Sequence, residues 1–103
     1  MELKLAYCVP WIEIEYGWGS RPEGYKIFSD LEKCLEQTKV DSAKAGYEGG
    51  YCGPVRDMEL FYYEVPYDLI PEKVKNAFDE GKDFWFSENA WNPQMKSEKK
   101  FIS

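Results

Sequence analysis

Leu3, Leu5, Tyr7 and Val9 alternate with polar or small residues, and after Pro10 the alternation resumes one step out of phase at Ile12, Ile14 and Tyr16. A period of two sends successive side chains to opposite sides of an extended backbone, so the opening of the chain is committed to one long strand. The slip in phase predicts a bulge or bend near Pro10 and Trp11, because one extra residue reverses the face taken by every later side chain. Glu13 and Glu15 then share a solvated face with Trp11. A strand of this length needs neighbours to satisfy its backbone, and the following residues supply them.

Residues 17–24 read as a wide hairpin loop leading into a short second strand over residues 25–28, Tyr-Lys-Ile-Phe. Residues 29–32, Ser-Asp-Leu-Glu, have the form of a capping box in which Ser29 and Glu32 satisfy free amides at a helix start. The helix is expected from about Asp30 to Ala45, with Leu31, Cys34, Leu35, Thr38, Ser42 and Ala45 forming one stripe and Gly46 a left-handed stop. A second glycine-rich loop precedes a strand over residues 55–65. There Met58, Leu60 and Tyr62 take one face, and Phe61, Tyr63 and Val65 the other. Pro66 ends that strand. Pro71 opens a second helix with Val74, Ala77 and Phe78 turned inward and Gly81 as terminator. Residues 84–86, Phe-Trp-Phe, suit a last edge strand.

The order strand, strand, helix, strand, helix, strand predicts an α+β fold: a small antiparallel or mixed sheet of three to five strands with two helices on one face. At 103 residues the chain has room for one compact domain, placed at residues 1–95, followed by a short lysine-containing tail at 96–103. An apolar content of 44%, with six Phe, four Trp and eight Tyr, suffices for an independent core.

Charge narrows the partners. The net charge is -6, and residues 1–95 carry 18 acids against 10 bases, so the body is near -8. Such a surface repels nucleic-acid phosphate and anionic membranes and attracts basic protein surfaces. Neither direct nucleic-acid binding nor membrane association is expected. No apolar run approaches the ~20 residues of a membrane span. Cys8, Cys34 and Cys52 are odd in number, widely spaced and preceded by no leader, which points to a reducing, cytoplasmic setting.

The chain contains no histidine, which removes the side chain most used for proton transfer near neutral pH. A serine or cysteine nucleophile would lack its usual base, so a non-catalytic protein without cofactor or metal is expected. Cys52 is the cysteine expected at the surface, and Cys8 and Cys34 are expected in the core. Glu13 and Glu15 lie ~6.5 to 7 Å apart by strand rise, a spacing that solvated alternation explains without catalysis.

Both arginines, Arg21 and Arg56, fall in segments broken by glycine and loaded with aromatic residues. If the two segments meet at one end of the sheet, Trp18, Arg21, Tyr47, Tyr51 and Arg56 form a rim suited to an anionic, nucleotide-like ligand. Neither segment is a phosphate-loop fingerprint. The other candidate surface is acidic and aromatic: Trp11, Glu13, Glu15, Glu32, Glu36, Trp85 and Trp91 as contacts for a basic partner. The edge near Phe84 offers a route to a homodimer.

In size and charge the sequence is similar to short acidic proteins of phages and mobile elements, and no motif matches a named family. The leading expectation is a stoichiometric binding protein, an inhibitor of a basic and possibly nucleic-acid-handling host or defence protein, in the manner of a counter-defence factor. The alternative is a protein that sequesters an anionic, nucleotide-like small molecule.

Overall fold

The computed structural model describes residues 4–87 and 98–102. The opening alternation becomes β1 (Leu5–Glu15), an eleven-residue strand that organises the rest. The chain turns at once into β2 (Gly19–Phe28), which runs antiparallel to β1 along most of its length. The register slips between Trp11 and Ile12, where Trp11 faces Gly24 and Ile12 faces Pro22. An irregularity does lie beside Pro10, but the extra residue is Glu23 of β2, and β1, where the bulge was expected, runs on without one. On its other edge β1 has two partners in succession. Leu5 to Cys8 pair with β6 (Glu59–Pro66), and Trp11 to Glu15 pair with β4 (Gly50–Pro54). Pro10 lies at the changeover, where its missing N–H costs no ladder bond, and its carbonyl accepts from Val55 N–H at 2.9 Å.

The remaining strands are β3 (Gly46–Tyr47) beside β4, β5 (Arg56–Asp57) beside β6, β7 (Phe84–Ser87) beside β2, and β8 (Lys100–Phe101) beside β6. All pairings are antiparallel, and the sheet curls into a half-barrel. The fold therefore departs from the expected three to five strands: the described residues form eight, and the protein is strand-dominated. Composition had disguised the extra strands as loops. Residues 19–24 belong to β2, and residues 46–54 form the β3–β4 hairpin. The strand expected at 55–65 is split instead, with Met58 at positive φ in the tight turn between β5 and β6.

Helix α1 (Leu31–Lys44) is capped by Asp30, whose side chain accepts from Lys33 N–H at 3.0 Å, in place of the expected Ser29. Gly46 is not left-handed; the chain passes from Ala45 directly into β3. Helix α2 (Glu72–Asp79) follows Pro71 and ends before Gly81, which has φ +86°. The two helices take opposite faces of the sheet, which corrects the expectation of one face. On one side Ala6, Cys8, Ile27 and Val65 pack with Ile70 and Val74 of the α2 segment. On the other, Val9 and Phe28 pack with Cys34 of α1. The reason lies in β1, where Ala6 and Cys8 on one face and Val9 on the other are all fully buried, so both faces of its first half are core.

Lys26 also belongs to the α1 face and is buried. Its Nζ donates to Asp41 Oδ2 of α1 at 2.6 Å and lies 4.0 Å from the centre of the Phe84 ring. At the other end of the sheet, Lys99 bonds Asp57 at 2.8 Å beside β8, and Ile102 is buried. Among the described residues no helix is long and apolar enough to cross a membrane.

Candidate functional site

The second half of β1 extends past the part of the sheet that α1 covers. There Glu13 and Glu15 lie on the same face of the strand, with different neighbours on either side. Glu13 stands between Arg21 of β2 and Cys52 of β4, and Glu15 between Gly19 and Gly50. The glycines leave space around Glu15. A Cβ on Gly50 would run into the Ile14 carbonyl oxygen and the Tyr47 ring, so glycine is required where Tyr47 lies across β4. Gly17 and Gly19, at φ +89° and +106°, form the tight β1–β2 turn that projects Tyr16 and Trp18.

The two glycine-rich segments do converge. Tyr16 N–H donates to the Gly49 carbonyl at 2.8 Å, joining the tip of the β1–β2 hairpin to that of the β3–β4 hairpin. Exposed rings surround the junction: Trp18 is 87% exposed, Tyr16 66% and Tyr47 48%. On the Trp18 side of this junction lies a cleft of about 210 Å³ lined by Glu13, Glu15, Trp18, Gly19, Ser20 and Arg21.

The cleft is strongly acidic. Arg21 donates to Glu13 Oε1 at 3.1 Å, and Glu15 and Glu23 add their fields to that guanidinium. The Arg21 hydrogen bond holds the Glu13 carboxyl below its ordinary range, and Arg21 is correspondingly raised. Tyr47 is pushed up by burial and then by Glu13 and Glu15. Burial, with Glu23 and Glu13, also raises the Cys52 thiol, and Arg21 opposes them. The negative field of Glu23 and Glu13 disfavours the thiolate and so works against a reactive thiol at Cys52. Glu13, Glu23 and Cys52 each offer a donor atom within 4.8 Å of the others. A cation held there would have to compete with Arg21 for Glu13 and deprotonate a thiol whose pKa is raised.

Of the residues expected to bind a ligand, Trp18, Arg21 and Tyr47 gather at this rim. Tyr51 pairs with Ile14 on the opposite face and donates its hydroxyl proton to the Pro54 carbonyl at 2.6 Å. Arg56 lies on β5 against Leu60, beyond the end of the β4–β1 pairing.

Of the residues expected to meet a partner, Glu13 and Glu15 line the cleft, and Glu32 and Glu36 are exposed on α1. Trp11 does not share their solvated surface. It packs against the α1 core, meets Phe86 edge-to-face at 5.3 Å and buries its Nε1. Trp85 packs against the α2 core, and Trp91 lies outside the described residues. The sequence reading missed Glu23, which a loop assignment conceals and the bulge brings beside Glu13 and Cys52. It also missed the place of Cys52 opposite Glu13. No protein-family model, curated protein sequence or solved structure matches this chain.

Proposed function

We propose that the chain is a stoichiometric binding protein that antagonises a basic protein, and that it engages that partner at the acidic, aromatic rim of its two joined hairpins. One observation carries the reading: exposed Trp18 lines a cleft in which Glu13 and Glu15 meet the single guanidinium of Arg21, with the Glu23 carboxylate beside Glu13 and the exposed rings of Tyr16 and Tyr47 at the adjoining hairpin junction. Excess carboxylate charge attracts cations, and flat rings beside it offer stacking and anchoring surface. The net charge of -6 would steer the encounter, with Glu32 and Glu36 extending the field along α1. A surface of this kind suits a host or defence protein whose basic face otherwise holds nucleic acid. The free cysteines Cys8, Cys34 and Cys52 favour a reducing, cytoplasmic setting.

An anionic, nucleotide-like ligand has less support, because Arg21 is committed to Glu13 within an acidic field and Arg56 stands elsewhere.

The test uses immobilised basic proteins of pI above about 9, the range of nucleic-acid-handling domains. Binding is measured at about 0.01 M and about 1 M salt, where screening lengths are ~30 and ~3 Å. The paired substitutions Glu13→Lys and Glu15→Lys should abolish retention at low salt. The equal charge change Glu72→Lys with Glu80→Lys, on the α2 segment, should preserve it. Equal loss in both variants would reduce the effect to net charge, and retention of no basic protein at low salt would refute the reading.

A further inference from the structure

Resting on that reading, we infer that the cleft is an arginine pocket, and that Arg21 is a built-in competitor which the partner's guanidinium displaces from Glu13. Charge complementarity points to a cation: Glu13 and Glu15 line the cleft against the one guanidinium of Arg21, and Glu23 stands beside Glu13, so the site retains unmatched negative charge. An incoming cation is therefore the occupant that the cleft's chemistry favours.

Arg21 identifies which cation. Its own Nη2 atom, 3.1 Å from Glu13 Oε1, shows that a guanidinium fits against this carboxylate. The contact is a loose one: the Arg21 side chain is 69% exposed, whereas that of Glu13 is only 18% exposed. Exposed ion pairs of this kind contribute little, so Arg21 can be displaced at small cost.

A partner's arginine would bring a planar fork able to engage a carboxylate with two parallel bonds and to stack on Trp18 or Tyr47. A lysine ammonium is a more strongly hydrated point charge and offers neither. Ser20 and the open backbone at Gly19 leave the wall of the cleft opposite Glu15 free of bulk. Arg21 thus competes weakly, and a partner's arginine that engages Glu13 with two bonds and stacks on a ring displaces it.

The experiment titrates the full chain with two short peptides of equal charge, one arginine-rich and one lysine-rich, following tryptophan fluorescence at low salt. The unaltered protein should bind the arginine peptide more tightly than the lysine peptide. Arg21→Ala should tighten the arginine peptide about two- to fivefold, the scale of one exposed ion pair removed from competition. Arg21→Lys should fall between the two, and Glu13→Gln should weaken binding about tenfold. Thermal unfolding of each variant confirms that it is folded before titration.

Unchanged or weaker binding by Arg21→Ala would overturn the competitor role. Equal affinity for the two peptides would overturn the arginine preference. If both peptides bind and only these distinctions fail, recognition of a basic partner stands without the pocket. If neither peptide binds at low salt, pocket and partner reading fall together.

Discussion

Each cysteine carries a different consequence of its position. Cys8 and Cys34 are fully buried, and burial pushes the Cys34 thiol up to about 12 and raises that of Cys8 as well. A thiol whose folded pKa exceeds its unfolded value favours the native state fully below the unfolded pKa. That advantage declines as pH rises past about 8.5. Stability should therefore hold through neutral pH and fall on the alkaline side, each buried thiol adding up to about 1.4 kcal/mol per pH unit to the slope. Denaturant unfolding of the unaltered protein and of Cys34→Ala between neutral pH and about pH 10.5 checks this, since the thiol term runs from the unfolded cysteine pKa upward. The variant should show the shallower decline; parallel slopes would mean that Cys34 is not held protonated by the fold. Cys52, half-buried on β4 opposite Glu13, should be the first of the three to react with a thiol reagent.

At the scale of elements, the attachment of α1 to the sheet depends on more than apolar contact. Lys26 of β2 and Asp41 of α1 form an ion pair at 2.6 Å with side chains only 8% and 13% exposed, and Gln37 donates to the second Asp41 oxygen at 2.9 Å. Removing one partner leaves a charge in a poorly hydrated place, so Asp41→Ala should cost about 3–5 kcal/mol. The double change Lys26→Met with Asp41→Leu should recover most of that loss, because two apolar side chains leave no orphan. Chemical denaturation of the three proteins measures both terms. Equal destabilisation by the single and double variants would show that the pair matters through shape alone.

Elements with strong local signals were legible in the sequence. The alternation around Pro10 revealed β1 as a long strand, although the bulge beside it belongs to β2, and Pro71 and Gly81 bracketed α2. What escaped was set by contacts distant in sequence. Lys26 read as a polar residue of a short strand, with no local sign that Asp41 would bury it. Glycines at 19, 46 and 50 read as loop, although β2, β3 and β4 use that composition to bring strands and Tyr47 close together. The convergence of the two segments was foreseen as a possibility for Trp18, Arg21 and Tyr47. Tyr51 and Arg56 stand apart because strand parity turns Tyr51 to the opposite face and because β5, which carries Arg56, pairs with β6.

As a whole molecule, the protein divides its labour along β1. The first half is covered on both faces by the two cores, and the second half emerges beyond α1 as a carboxylate-bearing rim whose geometry is fixed by hairpin pairing. A rigid scaffold with charged, ring-studded tips suits rapid electrostatic capture followed by anchoring. The most direct test of this division is amide chemical-shift mapping on the full chain as a basic polypeptide of mixed lysine and arginine is added. Shifts should concentrate at Glu13, Glu15, Trp18 to Arg21, Glu23, Tyr47 and Cys52, and disappear at high salt. Shifts spread evenly over the acidic surface, or centred on the α2 face, would contradict it.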